Sequence, residues 1–239
     1  KYAANNYKLI LNARRTERLE ELKKELENKH KAIVHLLPFD VQNKEAVFGA
    51  VESLPAEWKT VDILINNAGL AMGRDYFEEG NLDDWNIMID TNVKGFLYVA
   101  KAVSQIMVKN NASSGSAGHI INMGSVAGKE VYEKGNVYCA SKYAVDAISK
   151  GMRIDMLRHN IKVTSINPGA AETEFSLVRF KGDEATAKSI YNGLKPLSAE
   201  DVADVVYYCA SLPAHVCIND LTITCTRQAN GIYFNRKPD

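Results

Sequence analysis

Tyr138 and Lys142 stand four residues apart in "NVYCASKYAV" (136–145). Val137, Ala140, Ala144, Val145 and Ile148 recur around them at near-helical spacing, which predicts a helix. One turn takes about 3.6 residues, so the phenol and the ammonium share a face. The pairing suits proton transfer. A free tyrosine has a pKa of about 10, and an ammonium one turn away favours the phenolate. The same four-residue spacing also fits a solvated lysine beside a half-buried tyrosine, because short motifs taken alone are weak.

Other candidates follow apolar runs. Ala13-Arg14-Arg15 follows "YKLILNA" (7–13), Asp40 closes "AIVHLLPFD" (32–40), and Asn66-Asn67-Ala68-Gly69 closes "VDILINNAG" (61–69). Ser125 ends "GHIINMGS" (118–125), and Asn167-Pro168-Gly169 ends "KVTSINPG" (162–169). Guanidiniums bond phosphate in bidentate fashion and stay charged, so Arg14 and Arg15 suit an adenosine 2′-phosphate. They could equally open an exposed helix, although cations there oppose the helix dipole. Asp40 could accept from an adenine amino group or cap the helix over 44–54. The small residues Ala68 and Gly69 would let a flat cofactor lie against backbone.

Each apolar run needs a scaffold. The runs read as buried strands, with "DLTITCT" (220–226) as the last. Amphipathic stretches alternate with them: 16–29, 44–54, 82–110 (one long helix or a bent one), 137–158, 183–193 and 199–211. Alternation with nearly all-apolar strands predicts a single α/β domain: a Rossmann-type, doubly wound parallel sheet with helices on both faces. Ligands of such sheets sit beyond the carboxyl ends of the strands, where these candidates fall. "NNASSGSAG" (110–118) reads as a surface loop.

The chain has 239 residues, within the range of one large domain. Its 29 basic and 29 acidic residues balance, and the pI is about 7.1. This argues against nucleic acid or an anionic membrane as an obligatory partner. No apolar run is long enough for a transmembrane helix, and "KYAANNYKLILNARR" has no signal-peptide core. Four cysteines without Cys-x-x-Cys spacing and five scattered histidines suggest no metal site. A cytoplasmic protein with reduced thiols is expected, with Cys139 packed behind the site.

Taken in order, "NNAG" (66–69), Asn92 in "DTNVKG", Ser125, Tyr138-x-x-x-Lys142 and "NPG" (167–169) resemble the short-chain dehydrogenase/reductase family over essentially the whole chain. "ARRTERLEELK", "SLPAEW", "VDILINNAGLAMG", "GNVYCASK", "TEFSLVRFKGD" and "LPAHVCIN" are similar to its NADP-dependent 3-hydroxy acid (serine or allo-threonine) dehydrogenase branch. The resemblance implies hydride transfer between NADP(H) and a small 3-hydroxy acid, with a broader carbonyl reductase as the alternative. A non-catalytic NADP-binding scaffold is the alternative from another class.

By resemblance, Tyr138 is the general acid/base, and Lys142 tunes it and bonds the nicotinamide ribose. Ser125 donates to the substrate oxygen, and Asn92, through its side-chain or backbone groups, holds a water that links Lys142 to solvent. Arg14, Arg15, Asp40, Asn67, Ala68, Gly69, Asn92, Tyr138, Lys142, Pro168, Gly169 and Thr173 line the cofactor. Residues 170–195 form a lid in which Arg179 clamps a substrate carboxylate, or else pairs with Glu172, Glu174 or Glu184. A homotetramer is implied, packed through helices 82–110 and 137–158; Phe96, Tyr98, Val99, Val103, Ile106, Tyr143, Ala147 and Met152 are compatible with that contact. The family opens with a strand and a Thr-Gly-x-x-x-Gly-x-Gly loop that this sequence lacks. A central strand, beside 7–13 and 61–69, and roughly 25–35 residues are therefore expected to be missing.

Overall fold

The computed structural model describes residues 1–114 and 118–237. Six parallel strands follow the apolar runs: β1 (Leu9–Leu11), β2 (Val34–Leu36), β3 (Ile63–Asn66), β4 (His119–Met123), β5 (Lys162–Pro168) and β6 (Asp220–Ile223). They form two ladders, β1-β2 and β3-β4-β5-β6. β1 and β3 are not paired with each other, the gap expected where a strand beside 7–13 and 61–69 is missing. Ile120 pairs with Val163 and Ile121 with Thr164 at the centre of the larger sheet, where all four residues are fully buried. Strands covered on both faces have no need of polar alternation, which accounts for their apolar runs.

Helices α1 (Thr16–His30), α2 (Lys44–Glu52), α3 (Leu82–Ile89), α4 (Phe96–Ser114), α5 (Asn136–Met156), α6 (Glu174–Arg179), α7 (Glu184–Ser189) and α8 (Ala199–Ser211) join the strands. Side-chain caps set several starts. Asn43 accepts from the Ala46 amide, Asn81 from those of Asp83 and Asp84, and Ser198 with Asp201 forms a capping box. Asn43, not Asp40, therefore caps α2.

The predicted long helix over 82–110 is bent, with a π-helical turn at Asp90–Gly95 joining α3 to α4. Helix α4 continues to Ser114, five residues into the expected loop; residues 115–117 lie outside the described residues. Helix α6, inside the expected lid, has no strong apolar period and is new to the structure.

One face of the larger sheet packs Ile120 and Val163 against Met107 of α4 and Met152 of α5. The other packs Ile121 and Ile166 against Val206 and Cys209 of α8. A fully buried aliphatic side chain contributes about 1.5–3 kcal/mol, so these two layers dominate cohesion. Most residues expected at a subunit contact serve this core instead. Phe96 is buried, Tyr98, Val99, Val103 and Ile106 pack with α2, and Met152 packs under β5. Among the described residues the large apolar side chains exposed on α4 and α5 are Leu97, Tyr143 and Ile154, with Leu157 just beyond α5, and Ala147 is exposed as well.

Candidate active site

The carboxyl ends of β3, β4 and β5 bring Asn67–Gly69, Ser125 and Pro168–Gly169 to one edge, and α5 carries Tyr138 and Lys142 beside it. Tyr138 and Lys142 are both buried, 8% and 7% exposed. A solvated lysine is thereby excluded. Lys142 Nζ donates to the Met123 carbonyl at 2.9 Å. Burial lowers its pKa to about 8. Burial raises that of Tyr138, with Tyr132 adding to the rise. The Ser125 hydroxyl and the Arg179 guanidinium act the other way on the phenol.

Asn92 lies in the π-helical turn and is 1% exposed. Its Oδ1 accepts from the Leu70 amide at 2.8 Å, while its Nδ2 donates to the Leu70 carbonyl (2.7 Å) and to Ser141 Oγ (3.0 Å). The side chain therefore grips the loop after β3. π-turns inside helices recur at functional sites because they re-aim one residue. A Cβ on Gly69 would stand 3.3 Å from Asn92 Oδ1 and 3.5 Å from Lys142 Nζ. Asn67, Ala68 and Gly69 form an exposed, low shelf there.

Ser125 is 9% exposed; its Oγ accepts from the Ala127 amide at 3.1 Å. Gly169 is required by packing: a Cβ would meet Gln228 Oε1 at 2.2 Å, and that oxygen accepts from the Ala170 amide. Thr173 caps α6. Cys139 is fully buried against Ala71, Met88 and Ala127, behind Tyr138.

Arg14 and Arg15 are exposed beyond β1. Arg14 lies 3.7 Å from Asp40, and Arg15 lies 3.5 Å from Glu174. Arg18 joins them, reaching both oxygens of Glu174 at 3.0 Å. Sequence reasoning missed Arg18, although it follows Arg14 and Arg15 at helical spacing. The acid Glu174 was weighed as a partner of Arg179; it pairs with α1 instead.

Arg179 Nε donates to the Gly73 carbonyl (3.2 Å), and its own carbonyl accepts from the Gly73 amide (2.9 Å). Arg179 Nη1 donates to Tyr132 Oη at 3.1 Å. The guanidinium carbon lies 5.8 Å from the Tyr132 ring centre and 5.5 Å from that of Tyr138. A second tie joins Lys181 to the buried Asp84 at 2.8 Å. A cavity lined by Met72, Trp85, Met88, Tyr138 and Arg179 opens beside the phenol. Among the described residues no group of three or more His, Cys, Asp or Glu could hold a metal ion, and no helix is long and apolar enough to cross a membrane.

A buried acid–base pair at the strand ends and a shelf for a flat ligand define an oxidoreductase-type site on a parallel sheet. The chain belongs to the short-chain dehydrogenase family, whose description matches residues 1–183. It is 43% identical over 230 residues to the NADP-dependent 3-hydroxy acid dehydrogenase YdfG of Escherichia coli O6:H1, covering 96% of this chain and 89% of that protein. It is 42% identical over 229 residues to sulfoacetaldehyde reductase 2 of Chromohalobacter salexigens, covering 96% and 88%. Among solved structures, the closed form of serine dehydrogenase complexed with NADP+ superposes with a TM-score of 0.90 at 42% identity, over 99% of this chain and 92% of that one.

Proposed function

We propose that this chain is an NADP-dependent oxidoreductase acting on the hydroxyl-bearing carbon of a small 3-hydroxy acid, such as L-serine, L-allo-threonine or 3-hydroxyisobutyrate. The observation that carries this reading is Arg179, a guanidinium fixed over the Tyr138 ring in the cavity beside the phenol. A carboxylate entering there would meet a charge-assisted donor next to the proton-transfer group. The relatives' names agree in chemistry: 3-hydroxy acids and serine carry a carboxylate, and sulfoacetaldehyde carries a sulfonate.

The residues fit NADP. Arg14, Arg15 and Arg18 present exposed cations beyond β1 for a 2′-phosphate, and Asp40 lies near them for the adenine. Asn67, Ala68 and Gly69 offer a shelf without side-chain bulk, and Lys142, Pro168, Gly169 and Thr173 surround the place for the nicotinamide half. When bound, the nicotinamide supplies the hydride acceptor or donor. Ser125 donates to the substrate oxygen and holds the reacting carbon. Tyr138 takes the hydroxyl proton in oxidation and returns it to the carbonyl oxygen in reduction. Lys142 anchors ribose hydroxyls and carries positive charge at the base of the site.

In this reading residues 1–239 are one NADP-binding domain, residues 170–195 are its lid, and the protein works in the cytoplasm as a homotetramer. The exposed Leu97, Tyr143 and Ile154 support association through α4 and α5. The apolar lining from Met72, Trp85 and Met88 favours a second reading, a broader carbonyl reductase.

Rates on L-serine, 3-hydroxyisobutyrate and a simple aryl ketone separate the two. Tyr138→Phe should lower turnover about 10²- to 10⁴-fold, the range of general acid–base catalysis, while NADP still binds. A loss under about tenfold would remove Tyr138 from proton transfer.

A further inference from the structure

Arg179 is more confined than a substrate clamp requires. Its backbone and Nε exchange hydrogen bonds with Gly73 in both directions, and Nη1 donates to Tyr132. Gly73 adopts a left-handed φ of +69°, which lets the loop after β3 turn towards α6. The ring of Phe175, one turn earlier on α6, meets the Tyr138 ring edge at 5.7 Å. The lid helix thus lays both an aromatic edge and a cation against the tyrosine. A cation near an aromatic face is attracted by the ring's quadrupole, and that attraction grows when the ring becomes a phenolate.

The remaining charged and titratable groups around the phenol do not supply this. Tyr132 and Cys139 oppose ionisation, and Ser125 contributes a neutral hydrogen bond. Asp75, Asp84 and Lys134 also line the cavity, and Asp84 is paired with Lys181. Lys142, on the same helix, is directed to Met123.

We propose that Arg179 is a positioning residue for the acid–base step, its guanidinium over the Tyr138 ring stabilising the phenolate whenever α6 is docked on Gly73. This rests on the reading of Tyr138 as the proton-transfer group, and it goes beyond holding a carboxylate. The docked lid completes the base as well as the pocket. An anionic substrate would draw on the same positive charge, so the effect is largest in the free enzyme and with uncharged substrates.

The test uses Arg179→Gln, Arg179→Lys and Tyr138→Phe in the full chain, with a methyl ester of a 3-hydroxy acid as the uncharged substrate. The pH dependence of kcat/KM for ester oxidation reports the free enzyme's base. In Arg179→Gln the ionisation limb should move up by about half a unit to one and a half units. Oxidation near pH 8 then falls about 3- to 30-fold, and it falls more than reduction of the matching keto ester near pH 7, where the phenol is already protonated. A structural defect would lower both directions together, and that outcome overturns the proposal. Arg179→Lys keeps the charge and should restore most of the limb; a folded Lys variant that behaves like Gln also overturns it. The tyrosinate absorbance lost in Tyr138→Phe gives a second readout, independent of turnover. That signal should titrate higher in Arg179→Gln than in the parent chain, and an unchanged titration refutes the idea. If Tyr138→Phe itself remains active, the reading of Tyr138 fails; if only the Arg179→Gln limb is unmoved, the inference alone fails.

Discussion

Lys142 Nζ and the Met123 carbonyl are joined across 2.9 Å, tying α5 to the carboxyl end of β4. The bond fixes where the amine's charge sits. It does not prevent loss of that charge, because burial holds the pKa near 8. The ammonium predominates below that pH and the neutral amine above it.

Cofactor affinity should follow this titration. Ammonium favours an anionic dinucleotide, so NADP(H) binding should weaken as pH rises through about 8. Phosphate monoesters have a second pKa of about 6, so the ligand's own charge is steady in that range. Lys142→Met should bind more weakly throughout and lose the pH dependence. Fluorescence titration of NADPH from pH 7 to 9.5 reads it; a slope that survives in the Met variant would rule Lys142 out as its source.

The arginines beyond β1 should set the choice between NADP(H) and NAD(H). Charge-assisted bonds to a 2′-phosphate, discounted for exposure, give a preference of roughly tenfold to several hundredfold at low salt. Salt should erode it. Changing Arg14 and Arg15 to Ala should weaken NADP(H) far more than NAD(H), and Ala13→Asp on that background should turn the preference towards NAD(H). An unaltered ratio of kcat/KM values in the double Ala variant would make both residues plain surface charges.

Stability should depend on His119. Thr164 Oγ1 donates to the Ile218 carbonyl, so His119 Nε2 donates to Thr164 at 2.7 Å and Nδ1 is left bare. Nδ1 is buried without a partner. Burial, with Lys162 adding, lowers the pKa to about 4 from an ordinary 6.5. The unfolded chain therefore binds a proton that the native one refuses. Stability falls as pH drops from about 6.5 to about 4 and levels off below, a loss on the order of 3 kcal/mol. Urea unfolding at pH 7.5 and 4.5 should show His119→Gln much less pH-dependent; an equal drop would assign the loss to carboxylates.

The strands and their ligand-facing ends were legible in the sequence because burial on both faces leaves an apolar run and the loop after it breaks that run. Asn67–Gly69, Ser125 and Pro168–Gly169 were placed that way. What stayed hidden came from long-range packing. Arg179 meets Tyr132 and Gly73 across 47 and 106 residues, and Arg18 meets Glu174 across 156. Helical spacing put Lys142 beneath Tyr138, yet spacing carries no information about solvent. Burial outweighed the expected influence of the ammonium on the phenol. An apolar run states that a strand is covered and not which strand lies beside it, so the gap between β1 and β3 was legible only from the strand and glycine loop that the resemblance showed to be missing.

The π-helical turn at Asp90–Gly95 makes the stretch from Leu82 to Ser114 sensitive to length more than to composition. An α-helix advances about 100° per residue. The π turn already absorbs one residue more than a regular helix needs, so a further inserted residue would rotate α4 by that angle relative to α3. Met88 on α3 and Phe96, Ala100 and Met107 on α4 are all buried, and no single rotation keeps both sets covered. The half-buried Val93 can therefore change at modest cost, whereas a one-residue insertion between Met88 and Phe96 shifts a whole face of the protein. In a library of variants this segment should tolerate changes at Val93 while rejecting one-residue insertions and substitutions at the buried Asn92 and Gly95.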